Sequence, residues 1–217
     1  MINSNDINYK KLLPIFGGVF KTAPLFFPLC EESEYYDLFS NVPQSEFQKS
    51  LNDITMQKGS EWSVSGYLEN RATILKDYPQ MVEKERFYHL GIDIHALNGT
   101  QLYAPFDCEV VVSKYEEGGG NYGGITILKC KNNETEFYML FGHLNPNKLQ
   151  AVGSQLKKGD VFAEFGDMDQ NGNWFYHTHL QILTQKAFVE GWENKGYCAK
   201  HEIETIDEYC PNPYLFL

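Results

Sequence analysis

The sequence predicts a mainly β protein, an antiparallel sheet sandwich or partly open barrel, preceded by an α-rich N-terminal extension. Three observations carry this. Aromatic residues make up 15% of the chain and glycine occurs 18 times, a composition that favours sheet and turn over long helices. Between Phe87 and Leu183, runs of strand character follow one another, separated by Gly, Asn and Pro. Before Phe87 the apolar spacing suits short helices instead.

In chain order, residues 1–86 form the extension. Glu32 to Phe39 and Pro43 to Leu51 read as helices, and Ser65-Gly66 opens a third from Tyr67 to Tyr78 that Pro79 ends. Tyr67, Glu69, Asn70 and Arg71 fall on this third helix, where a solvated face is the expected setting and reach into a cleft the alternative. Residues 87–185 form the β domain, with strands over Gln101 to Ala104, Glu109 to Tyr115, Gly124 to Cys130, Glu136 to Phe141, Val161 to Phe165 and Phe175 to Leu183. Gly118 to Gly124 is a turn between two of them; it lacks the G-K-[ST] and the following helix of a phosphate loop. Residues 186–217 read as a short helix and a tail packed on the domain.

The 217 residues carry 18 Lys and Arg against 29 Asp and Glu, a net charge of −11 that repels a phosphate backbone. Nucleic acid is excluded as a partner. No apolar run reaches the ~18 residues of a membrane span. The apolar stretch from Leu12 to Cys30 is interrupted by Lys21 and three prolines, so a cytoplasmic location is expected rather than export. The five cysteines form no C-x-x-C pair and leave one over, which fits a reducing compartment. Cys198 to Cys210 is the one bridge left open.

Histidine carries the chemical signal. Five of the six histidines lie between residues 89 and 179. His89-Leu90-Gly91-Ile92-Asp93 sets an imidazole and a carboxylate four residues apart, and His177-Thr178-His179 sets two imidazoles on one face of a strand. Two imidazoles and a carboxylate suit zinc, and three protein ligands leave a fourth position open, as in catalytic rather than structural sites. His201-Glu202 begins like a zincin helix, but Thr205 stands where its second histidine belongs.

With these residues the sequence resembles the lysostaphin-like zinc peptidases, bacterial enzymes that cleave peptide cross-links in cell walls. His89 to Asp93 matches the family's first motif and His177 to His179 its H-x-H. Tyr138-Met139-Leu140-Phe141-Gly142-His143-Leu144 matches a third landmark, and the match spans about Tyr88 to Ile182. The resemblance implies a duplicated hybrid motif fold and a zinc metalloendopeptidase acting on peptidoglycan or peptides derived from it. By that resemblance His89, Asp93 and His179 hold Zn2+, and His143 and His177 are the catalytic histidines. His95 has no counterpart in the motif and is expected to be exposed or to support the ligands. Family members can be latent, so the extension is expected to cover the cleft or complete it.

Three alternatives remain at this level: a cytosolic zinc amide hydrolase on a small soluble substrate, a non-catalytic zinc-binding module, and a lipoyl-type carrier domain. The last needs a modifiable lysine in a characteristic turn, a setting that Lys157 and Lys158 lack.

Overall fold

The computed structural model describes residues 8–132 and 135–216. Its centre is an eight-stranded sheet of β1 (Leu25–Phe26), β2 (Ser63–Val64), β4 (Ile92–His95), β11 (His177–Leu183), β8 (Thr135–Leu144), β7 (Gly123–Asn132), β6 (Cys108–Glu116) and β9 (Gln155–Leu156), in that spatial order. Two small pairs flank it, β5 (Gln101–Tyr103) with β10 (Val161–Glu164) and β3 (Tyr88–His89) with β12 (Tyr197–Cys198). Among the described residues every strand pairing is antiparallel except β1 with β2. The fold is mainly β and the sheet does not close into a barrel, as the composition and strand runs predict.

Period-2 alternation decides what each strand gives to each side. On one face Ile92, Ile94, Met139, Phe141, Leu180 and Ile182 are buried in a common core. The opposite face buries Ile125, Ile127, Tyr138, Leu140 and Leu183 in a second cluster. Asp93, His95, His177 and His179 belong to this second face, where β4 and β11 lie side by side.

The segment before residue 87 is woven into the same sheet and the same cores. β1 and β2 extend the sheet beyond β4, and Leu12, Ile15, Phe16, Trp62 and Val64 pack into the first core. A third cluster joins Phe27, Phe39, Phe47, Leu51 and Leu75 to Trp174 and Phe175. Its helices are α1 (Tyr36–Phe39), α2 (Gln44–Gln57), α3 (Ala72–Leu75) and α4 (Pro79–Val82).

The predicted Tyr67–Tyr78 helix is corrected: only Ala72–Leu75 is helical. Upstream of it the chain runs alongside β3. The Leu68 N–H donates to the His89 carbonyl, His89 N–H to Glu69 and Arg71 N–H to Phe87, at 2.8, 3.1 and 2.9 Å. Pairing with a neighbour overrides helix propensity here.

After β11 come α5 (Gln185–Val189), a 3-10 segment over Lys200–Glu208 and α6 (Pro213–Phe216). The tail is tied back to the extension: the Tyr214 hydroxyl donates to the Ser65 carbonyl at 2.8 Å, and the Tyr67 hydroxyl to that of Cys210 at 2.5 Å. All five cysteines are free thiols, so Cys198 and Cys210 are not bridged.

Candidate metal centre and active site

Strand register assembles the site. On β11 and β4, His179 stands directly opposite Asp93, and His177 opposite His95. His89 arrives from β3, across the turn at Gly91, and its Nε2 lies 2.8 Å from His179 Nδ1. Asp93 Oδ1 is 3.2 Å from His89 Nε2 and 3.3 Å from His179 Nδ1. One atom from each of the three residues falls within 4.8 Å of the other two, and all three side chains are buried.

The outer atoms of these groups are all engaged. His89 Nδ1 faces the Gly66 carbonyl at 3.3 Å, an acceptor, so the proton sits on Nδ1 and the Nε2 lone pair points inward. His179 Nε2 donates to Gln181 Oε1 at 2.9 Å, which leaves its Nδ1 lone pair inward. The Gln181 amide is in turn oriented by its Nε2 donating to Cys210 Sγ at 3.2 Å. Asp93 Oδ2 accepts from Arg71, whereas Oδ1 is buried and accepts no hydrogen bond.

Three electron-pair donors therefore converge, an arrangement that costs energy unless a cation or a proton lies among them. Two nitrogens and one oxygen suit zinc, and a three-residue set leaves it an open position. The residues fit the ion.

His143 and His177 sit beside this trio. His143, next to last in β8, takes left-handed backbone, φ 63°, a conformation uncommon outside glycine. Its Nδ1 donates to the Asn171 carbonyl at 2.7 Å, and His177 Nδ1 donates to the Phe175 carbonyl at 2.8 Å. Both imidazoles thus present Nε2 to the cavity, their ring centroids 4.3 Å apart. His177 Nε2 is 3.8 Å from Asp93 Oδ1.

Electrostatics favour neutral imidazoles. Burial pushes His89 down to about 3, with the Arg71 cation adding to it, and burial takes His177 down to about 4 against the pull of Asp93. His143 and His95 are lowered as well, by burial and then by the charge of a protonated His177. For Asp93 burial works the other way, but Arg71 and the imidazoles outweigh it and hold the carboxyl well below its ordinary range.

Two expectations that left alternatives open are narrowed. His95 is not exposed: it is buried, its Nδ1 lies 2.9 Å from Ser63 Oγ, and its ring packs edge-on to Phe175. Arg71 is not on a solvated face either, being 2% exposed. The Gly118–Gly124 turn also reaches the site: Gly120, Asn121 and Tyr122 line the cavity, and the Tyr122 ring centroid lies 5.3 Å from that of His179. Gln181 was open to detection in the sequence, since it follows His179 on the same strand face. Gly66 and Asn171 act through backbone carbonyls, which no residue pattern marks.

Residues 87–190 match the family model described as Peptidase family M23. They form a peptidase family M23 domain. Members of that family are zinc-dependent, and the converging trio is a donor set that suits the same metal.

Among solved structures, the M23 domain is similar to a zinc-containing peptidase from Vibrio cholerae, at 21% identity over 44% of this chain and 27% of that one, TM-score 0.37. It is also similar to LytU, at 27% identity over 44% and 61%, TM-score 0.36. A third is the catalytic domain of lysostaphin from Staphylococcus simulans, at 18% identity over 56% and 80%, TM-score 0.38. The chain thus spans about a quarter of the Vibrio protein. No curated protein matches it.

Proposed function

We propose that this chain hydrolyses amide bonds in peptidoglycan cross-links or in peptides derived from them. His89 Nε2, Asp93 Oδ1 and His179 Nδ1 hold the zinc ion. The observation that carries the assignment is the convergence of three inward atoms, Asp93 Oδ1 among them accepting no hydrogen bond, while the outward atoms of all three residues are engaged.

Zinc, when bound, supplies a Lewis acid that polarises the scissile carbonyl and acidifies the attacking water. The chain's own groups do the rest. His143 and His177 are neutral at pH 7, each with an Nε2 lone pair toward the cavity, so either can accept the proton lost by the water. Once protonated, the same nitrogen can donate to the departing amine or to the developing oxyanion. Fixed Nδ1 bonds to backbone carbonyls hold both rings ready, so little reorganisation accompanies the transfer.

A second reading, an amide hydrolase for a small soluble substrate, is favoured by the cavity, whose volume is only about 130 Å³ and which Ile74 and Met81 of the N-terminal segment help to wall. One experiment separates these readings. Metal content is measured on purified protein, and release of new amines is followed on cross-linked wall fragments and on soluble peptides, with and without chelator. The expected result is one zinc per chain and chelator-sensitive cleavage of wall fragments. Cleavage confined to short soluble peptides selects the second reading. His89→Ala or His179→Ala protein that keeps a full equivalent of zinc under chelator refutes the ligand assignment.

A further inference from the structure

We propose that the segment 65–71, upstream of the M23 domain, is a working part of the metal centre, with Arg71 as the positioning residue that makes Asp93 a one-oxygen ligand. The proposal rests on the ligand assignment above. It starts from how the two oxygens of Asp93 are treated. Arg71 Nη1 occupies Oδ2, and Oδ1 alone is left facing His89 and His179. A carboxylate free at both oxygens can grip an ion through both and close the position that a substrate carbonyl or water requires. With one oxygen taken by a guanidinium, that mode is blocked.

Arg71 is itself held from three sides. Its Nη2 donates to Ser65 Oγ at 2.7 Å and to Glu69 Oε2 at 3.1 Å, and its Nε lies 3.3 Å from the same Glu69 oxygen. Ser65 Oγ also accepts the Asp93 backbone N–H at 2.9 Å, so one hydroxyl ties the guanidinium to the strand it serves. Glu69 is anchored in turn by the N–H groups of Gly66 and Leu29, at 2.6 and 3.1 Å.

The same segment acts on a second ligand. The Gly66 carbonyl lies 3.3 Å from His89 Nδ1, and that contact sets the tautomer which turns Nε2 inward. Two of the three ligands are therefore oriented by residues outside the span that matches the family.

The plain alternative is that Arg71 and Asp93 form a structural ion pair whose only task is to fasten the extension. The two readings differ in what the metal experiences. Zinc affinity is measured on the full chain by competition with a chromogenic chelator, and the absorption spectrum of the cobalt(II)-substituted protein reports coordination. Arg71→Met is expected to lose about 10- to 100-fold in zinc affinity and to shift the cobalt bands. Arg71→Lys should recover part of the affinity, because an ammonium can hold one Asp93 oxygen but cannot bridge Ser65 and Glu69 as a planar fork does. Ser65→Ala keeps the charges and removes only the bridging hydroxyl, so it carries the test if Arg71→Met fails to fold; its expected loss is several-fold.

A folded Arg71→Met protein with wild-type zinc affinity and an unchanged cobalt spectrum overturns the proposal, as does the same result for Ser65→Ala where the arginine variant does not fold. Wild-type protein that binds neither metal overturns the ligand assignment itself, a failure distinguishable from that of Arg71.

Discussion

At the scale of single residues, the site works through which nitrogen of each histidine carries the proton. His143 and His177 spend Nδ1 on backbone carbonyls and leave Nε2 toward the cavity, so under the proposed mechanism their loss should cost turnover and spare the metal. His143→Asn is the appropriate variant, because asparagine tolerates the left-handed backbone at that position. His143→Asn and His177→Ala are expected to lower kcat by ~100- to 10,000-fold with zinc retained, measured by peptide turnover beside metal analysis. Wild-type rates would remove the residue from the mechanism.

Burial of neutral imidazoles also has a stability consequence in the metal-free protein. An unfolded histidine takes a proton at about 6.5, whereas folded His177 does so only near 4 and His89 near 3. Below pH about 6.5 the unfolded state therefore binds more protons than the folded one. Stability must fall as pH falls, by about 1.4 kcal/mol per pH unit for each such histidine once its unfolded form is fully protonated. Asp93 acts in a separate window: its lowered carboxyl favours folding above the ordinary carboxylate range and yields that contribution only in stronger acid. The urea midpoint of metal-free protein is thus expected to drop between pH 7.5 and 5.5. An unchanged midpoint would contradict the buried neutral state.

At the scale of elements, the proposed ligands depend on how closely β3, β4 and β11 approach. A methyl group on Gly91 would lie 2.5 Å from the Leu180 carbonyl oxygen and 2.7 Å from the His179 ring, so glycine is required by space. Gly91→Ala is expected to cost about 1–3 kcal/mol in stability and to displace His179, weakening zinc binding. Gly119→Ala, where a methyl group meets open space, is the control that should change neither. Thermal melts and zinc titrations of the pair check this; equal behaviour of the two variants would show that the strand approach is not what seats His179.

At the scale of the whole molecule, the segment before residue 87 shares sheet, core and site with the M23 domain. Phe16, Phe27, Phe47 and Trp62 are buried, and truncating a buried Phe or Trp to Ala costs about 3–5 kcal/mol at a single position. Removal of residues 1–60 is expected to leave an unstable or insoluble protein. Removal of 1–80, which also takes Ser65, Gly66 and Arg71, should abolish zinc binding. The readouts are soluble yield, metal content and rate. A soluble, faster enzyme after either truncation would instead establish the segment as a blocking lid.

Much of this was legible in the sequence because short spacing encodes strand faces. H-x-H on a strand puts both imidazoles on one side whatever the rest of the chain does, and runs such as Gly124 to Cys130 and Glu136 to Phe141 fall within β7 and β8. His89 and Asp93, four residues apart across a glycine, likewise carry their proximity in local geometry. Local order could not reveal that residues 65–71 abandon the helix their composition favours. Their backbone hydrogen bonds go to Phe87, His89 and Asp93, partners supplied only when the chain folds back. Nor could it show that Arg71 is buried against Asp93, that Cys210 steadies the glutamine behind His179, or that a glycine-rich turn walls the cavity. The residue types that can hold a metal were set by sequence. Which lone pair of each faces inward was decided by tertiary structure, because orientation depends on partners distant along the chain.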